Sequence, residues 1–385
     1  MDFQLNEEQQ MLQDSARRFL TDHCAFDKRP ALIAQGSFDV KRWAQFAEQG
    51  WLGMSLPECY DGLDGTAVET AILLEEMGRV LFMEPFWAIG VLAAQTILGA
   101  NHPAQAAALL PGLVAGVVRP VVAHGELQAR GMLASVATTA DSTASGRWRL
   151  NGHKTLVVGG NAADRFIVSA RNSGAENARE GITLFVIDRD TPGLTVRDLR
   201  LIDNRWAVEL HLTDVDASDS AVLGTVGGGF EALSTGHAHA MIALCAEALG
   251  VMEQALWVTR DYLKTRKQFG VTLSTFQALQ HRMSEMLIEL ELARGMVYRG
   301  MSHLQSSPAT RELALSAMKV QVGQSGKFIC GQAIQLHGGI GIAEEYLIGH
   351  HFKRMTTIEY ALGSSHMHLE HIGRHERSLA ELATH

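Results

Sequence analysis

Two short stretches carry residue types suited to a large anionic ligand. The first reads Arg266-Lys267-Gln268-Phe269-Gly270, with Phe276 and Gln277 a few residues on. The second reads Gln335-Leu336-His337-Gly338-Gly339-Ile340-Gly341, followed by Glu345-Tyr346 and Lys353-Arg354. Taken singly, each has a plain structural explanation. The first fits a helix C-terminus with basic residues and a capping glycine, the second a Gly-rich helix–helix turn. Taken together they hold the groups an adenine dinucleotide needs. Arg supplies a fork for pyrophosphate, Phe a flat apolar surface, Gln a donor and an acceptor, and Gly a backbone that a ligand can approach closely.

Other reactive types point to less. His366, His368, His371 and His375 crowd the C-terminus, with His371 and His375 at i, i+4. Zinc often takes such pairs, but no Glu stands between them in an H-E-x-x-H arrangement, and no metal site is assigned. His350-His351 fits a polar helix face. Gly227-Gly228-Gly229 lacks the Gly-Lys-Ser/Thr of a P-loop and reads as a flexible junction. Cys24, Cys59, Cys245 and Cys330 are far apart, so buried or reduced thiols are expected rather than a disulfide framework.

The elements that position the two stretches follow from hydrophobic period. Asn6 is a plausible N-cap, with Leu12, Ala16, Phe19 and Leu20 on one stripe behind it. Trp43, Phe46 and Ala47 repeat the helical spacing, and Gly50 stands where a C-terminal cap belongs. Residues 56–65 form a loop, and helices follow over about 67–78, 86–99 and after Pro103. Near Arg119 the period changes. Asn151-Gly152 between strand-like runs signals a hairpin, and 166–169, 182–187 and 208–212 read as further strands. Beyond the triple glycine, long helical segments over about 230–267, 275–304 and 309–336 predict an antiparallel bundle.

The predicted class is therefore α+β, mainly α. Its parts are an N-terminal helical domain (1–117), a central β domain (118–226) and a C-terminal helical bundle (227–385). A length of 385 residues agrees with more than one core. With 46% hydrophobic and 19% charged residues the chain is of ordinary globular composition, and the formal charge of -9 disfavours nucleic acid. No apolar run in the sequence approaches the ~18 residues of a membrane span, so none is expected. Residues 1–10 are acidic and polar, unlike a leader peptide, and the expected setting is the cytoplasm.

At these motifs the chain resembles the acyl-CoA dehydrogenase family over essentially its whole length. Further matches are Leu52-Gly53, Pro57-Glu58, Asp61-Gly62-Leu63, Leu74-Glu75-Glu76-Met77-Gly78-Arg79 and Leu150-Asn151-Gly152-His153-Lys154. Residues 262–270 and 333–341 look most like the small subunits of the pimeloyl-CoA dehydrogenase type. The resemblance implies a helical domain, a central β barrel and a four-helix bundle, FAD as cofactor, an acyl-CoA substrate and electron-transfer flavoprotein as acceptor. In the family, the residues matching Arg266, Phe269, Gln335, Gly338 and Gly339 form the half-site given to a neighbouring subunit's FAD.

Departures from the family pattern are as informative. Proton removal α to a thioester needs a positioned base, normally a carboxylate. The family's Glu aligns with Leu362, before Gly363-Ser364, and the alternative position on the first bundle helix is Ala240. Neither can accept a proton, and no catalytic residue is assigned. Glu359, one turn before Leu362, is the nearest carboxylate, but a solvated helix-face residue is the expected reading there. The family's Thr-Glu-Pro is Gly125-Glu126-Leu127 here, and its Trp-Ile-Thr/Ser run is Leu156-Val157-Val158, which offers the flavin no side-chain hydrogen bond. The expectation is a non-catalytic subunit that completes the FAD site of a homologous large subunit, with self-association as the other assembly. A flavin-dependent monooxygenase and a flavin-free structural subunit are the rival readings.

Overall fold

The computed structural model describes residues 4–36, 38–143 and 146–383, with side chains as far as His375. Its helices are α1 (Glu7–His23), α2 (Arg29–Ala34), α3 (Val40–Glu48), α4 (Ala67–Arg79), α5 (Ala94–Gly99), α6 (Pro103–Val114), α7 (Gly229–Thr265), α8 (Gln277–Ser302), α9 (Pro308–His337), α10 (Leu347–Tyr360) and α11 (Ser365–Ala383). The order helix, sheet, helix follows the change of hydrophobic period along the sequence. By contacts the chain divides into two compact units, one of Met1–Arg29, Ala71–Phe82 and Met241–His385, the other of Pro30–Thr70 and Met83–Ala240.

The second unit holds the sheet. Its strands are β1 (Pro120–Ala123), β2 (Thr139–Ser142), β3 (Arg147–Val158), β4 (Arg165–Arg171), β5 (Ile182–Asp188), β6 (Leu194–Arg200), β7 (Trp206–Ser218) and β8 (Val222–Leu223). They pair in the order β6-β7-β3-β2-β4-β5-β8, with β1 parallel to β4. The hairpin expected at Asn151-Gly152 is absent. β3 runs through both residues and shifts register between Leu150 and Gly152. A Cβ on Gly152 would lie 2.5 Å from Thr138 Oγ1, so glycine serves close strand packing there. The triple glycine is likewise no loose junction. Thr183 Oγ1 accepts from Gly227 N–H (2.8 Å), and a Cβ on Gly229 would meet Ile182 O at 2.9 Å.

In the first unit, α1 begins with a capping box. Gln9 N–H donates to Asn6 Oδ1 (2.8 Å) and Asn6 N–H to Gln9 Oε1 (3.1 Å). Helix α9 packs against α8, α10 and α11, with Met318, Val322, Ile329 and Ala333 fully buried. Arg354 on α10 forks onto Glu247 of α7 through bonds of 2.7 and 2.6 Å. Helix α7 is long and apolar enough to cross a membrane by length and composition, but 78% of its apolar window is buried inside the protein.

Candidate functional site

The two glycine-bearing motifs meet at the ends of α7 and α9. Tyr262, in the last turn of α7, stacks on His337 at 4.3 Å between ring centroids, and its hydroxyl donates to His337 O (3.3 Å). His337 is buried and donates from Nδ1 to Ala333 O (2.8 Å), and burial lowers its pKa. Beyond α7 a small hairpin forms from β9 (Lys267–Gln268) and β10 (Val271–Thr272). Its turn residues Phe269 and Gly270 have φ of 54° and 80°, the signs of a type I′ turn. An aromatic residue in that conformation is costly, and Phe269 is 91% exposed. Arg266 and Gln335 are exposed as well, and among the described residues neither side chain has a hydrogen-bond partner. Gly338 needs its positive φ of 65° to end α9. Gly339 has no such need, and open space lies where its Cβ would point.

The β domain is arranged differently. Glu126 does not face outward but is consumed by a buried network. It accepts from Lys154 Nζ (2.5 Å), Thr138 Oγ1 (2.6 Å) and Ala137 N–H (2.8 Å). Burial alone would raise the Glu126 pKa, yet Lys154 and these hydrogen bonds hold it down at about 2. Burial takes Lys154 down to about 8, against the pull of Glu126. Lys154 also donates to Ser169 Oγ (3.0 Å), which contacts His124 Nδ1 (2.9 Å). His124 is driven down to about 3 by burial and then by Lys154, so it is a neutral imidazole near pH 7. The flanking residues Leu127 and Leu156 are 83% and 59% exposed, presenting only aliphatic carbon. The sequence reading missed this network, although Lys154 stood in the Leu-Asn-Gly-His-Lys motif.

No carboxylate stands at the two expected base positions. Leu362 has φ of 57° and its carbonyl faces His368 Nε2 (3.1 Å), while Ala240 is fully buried. Glu359 accepts from Ser365 N–H (2.9 Å) and Ser365 Oγ (2.9 Å), and lies where a Cβ on Gly323 would clash. It is half-buried where α10 meets α9 and α11, not on the solvated helix face expected of it. The C-terminal histidines also separate, since His368 is buried against Ser316 Oγ (3.0 Å) and His366 is exposed. His350 and His351 are buried and face the carbonyls of Glu344 (2.8 Å) and Leu347 (2.9 Å), so the expected polar helix face is interior, with His350 Nδ1 and His351 Nε2 buried without a hydrogen-bond partner among the described residues.

Three successive domains of one family match this chain in order. The N-terminal domain of acyl-CoA dehydrogenase covers residues 6–117, its middle domain 122–215 and its C-terminal domain 227–376. The chain belongs to the acyl-CoA dehydrogenase family. The probable acyl-CoA dehydrogenase YngJ of Bacillus subtilis is 28% identical over 373 residues, which span 95% of this chain and 97% of YngJ. A chain of the Tcur3481-Tcur3483 steroid ACAD is 32% identical with a TM-score of 0.86, covering 98% of this chain and 99% of that one. The acyl-CoA dehydrogenase of Geobacillus kaustophilus is 27% identical with a TM-score of 0.88, covering 97% and 99%.

Acyl-CoA dehydrogenases are FAD-binding flavoproteins that act on acyl-CoA thioesters. The residues at the ends of α7 and α9 fit part of that cofactor. An uncommitted guanidinium, an outward Phe and a glycine with open space are the donors and surface that a pyrophosphate and adenine take. At Leu127 and Leu156–Val158 the side chains do not fit a flavin edge, because they have nothing to donate or accept.

Proposed function

We propose that this acyl-CoA dehydrogenase is the non-catalytic subunit of a two-component enzyme. It lends Arg266, Phe269, Gln335, Gly338 and Gly339 to the FAD of a homologous partner subunit. The observation that carries the reading is the contrast between its two sets of residues. Where a base belongs stand Leu362 and Ala240, and Glu359, one helical turn before Leu362, accepts hydrogen bonds from Ser365. Where a donated arm belongs, Arg266, Phe269 and Gln335 are exposed, and among the described residues neither Arg266 nor Gln335 has a side-chain hydrogen-bond partner. The name of the Tcur3481-Tcur3483 relative joins two components, which supports a paired assembly for this chain too.

In that assembly a bound FAD would supply the hydride acceptor for the substrate's β carbon. This chain's own part is binding. Arg266 holds a diphosphate by charge-assisted bonds, Phe269 gives a flat face, Gln335 offers an amide, and the 338–339 backbone lies close alongside. The α proton is taken by a base on the partner. Electron-transfer flavoprotein as acceptor and a cytoplasmic setting complete the proposal. The division at 118 and 227 is proposed as the domain boundary set, supported by the family domains that end at 117 and begin at 227.

Flavin absorbance per chain tests it, for the protein alone and co-expressed with a second family member. A colourless chain alone, and about one FAD per heterodimer, is the expected pair of results. A yellow, active homo-oligomer overturns the reading.

A further inference from the structure

We propose that His153, Glu209 and His211 form a binding site for a divalent transition-metal ion of the zinc type on the exposed face of β3 and β7. The sequence gives no hint of it, because the two histidines lie on strands far apart in the chain. The antiparallel register sets His153 opposite His211, and Glu209 follows two residues away on the same face. The imidazoles stack with centroids 4.1 Å apart and planes 12° from parallel. One ligand atom from each of the three residues lies within 4.8 Å of the others. Among the described residues neither imidazole has a hydrogen-bond partner. Both rings therefore keep lone pairs free.

Imidazole and carboxylate together suit zinc, cobalt, nickel or copper better than magnesium or calcium, which prefer all-oxygen sets. With metal bonds of about 2.0–2.1 Å, tetrahedral ligand atoms stand roughly 3.4 Å apart. Small side-chain rotations on the exposed face close the remaining gap. Three protein ligands leave a coordination position to water.

The strand geometry gives the ion something to hold. His153–His211 sits within the short regular run Gly152–Leu212 to Lys154–Leu210, and β3 shifts register against β7 on either side of it. A metal there clasps the two strands between two irregularities. On the opposite face of β3 the next residue, Lys154, anchors the buried pair with Glu126. Among the described residues Arg197 competes for Glu209, its Nη1 lying 3.4 Å from a carboxylate oxygen.

Metal-free full-length chain titrated with Zn2+ by calorimetry, and with Co2+ by visible absorption, tests the site. The expected result is one ion per chain with a dissociation constant on the order of micromolar or tighter, intense tetrahedral Co2+ bands, and a melting temperature that rises with Zn2+. His153→Asn, His211→Asn and Glu209→Gln each weaken binding by about tenfold or more, while their metal-free melts match the parent. Arg197→Ala leaves binding equal or tighter. The double variant His371→Ala/His375→Ala, which removes the C-terminal pair, leaves it unchanged. Binding that survives His153→Asn/His211→Asn, binding abolished by the C-terminal variant, or no saturable binding at all overturns the proposal.

Discussion

At Gly339 the backbone is ordinary and a Cβ would enter open space, so nothing inside the chain calls for glycine. Gly339→Ala is accordingly expected to change the stability of the isolated chain by no more than about 0.5 kcal/mol in urea unfolding. The same variant should lower the FAD retained by the co-expressed assembly, because a methyl group then occupies the space a ligand needs. Phe269 makes the converse case. Its φ of 54° places a bulky residue in the left-handed region, at a cost on the order of 1 kcal/mol. Phe269→Gly should therefore leave the chain as stable or more stable while it weakens FAD retention. Arg266→Ala removes a charge-assisted contact of about 1.5–3 kcal/mol, or roughly tenfold or more in FAD affinity. Equal FAD retention in all three variants would remove these residues from the cofactor site.

Helices and strands set the next scale, where the close approach of α4 to α7 is the most exacting feature. A Cβ on Gly78 would lie 2.0 Å from Glu247 O, and one on Gly250 would lie 1.8 Å from Glu75 O. Either glycine changed to alanine must push two backbones apart, and about 2 kcal/mol or more of stability should be lost. The Lys154–Glu126 pair makes a second prediction. Lys154→Met alone strands a buried carboxylate and is expected to cost about 3–5 kcal/mol. Adding Glu126→Gln should recover much of that, and a double-mutant cycle measures the coupling. The same elements show what was legible in sequence. Amphipathic helices such as α1 and α3 announce themselves through local spacing and caps. The strands β1 and β6 do not, since β1 is buried on both faces and β6 is mostly exposed. Asn151-Gly152 looked like a turn because the local signal is strong, but tertiary packing on Thr138 claimed the glycine for a bulge. The residues proposed as a donated arm stood out in sequence because Arg266–Gly270 and Gln335–Gly339 are contiguous motifs. The His153–His211 pair was not, because only strand register brings it together.

Across the whole molecule, buried titratable groups pull stability in opposite directions with pH. His351 is held down to about 4 and His124 to about 3, each chiefly by burial. Both are lowered from about 6.5, so the unfolded chain takes up their protons first. Their contribution is complete above pH 6.5 and is lost as pH falls through 4 and then 3. Glu84 behaves the other way. Burial raises it to about 7 despite its bond to Arg42 at 2.9 Å. Its contribution is complete below the ordinary carboxylate pKa near 4.5 and is lost as pH rises through 7. Between pH 4.5 and 6.5 the two histidines and the one carboxylate therefore oppose each other, at up to about 1.4 kcal/mol per pH unit for each proton. Burial also lowers His337 and His350 and raises Glu75, so lowered histidines outnumber raised carboxylates and the parent chain should lose stability as pH falls across this window. His351→Gln should make the profile shallower there, and Glu84→Gln should steepen it. Urea midpoints measured at half-unit steps from pH 4.5 to 7.5 separate these slopes. Parallel profiles for all three proteins would mean that neither side chain changes its proton affinity on folding, and that the acid limb comes from general charge repulsion alone.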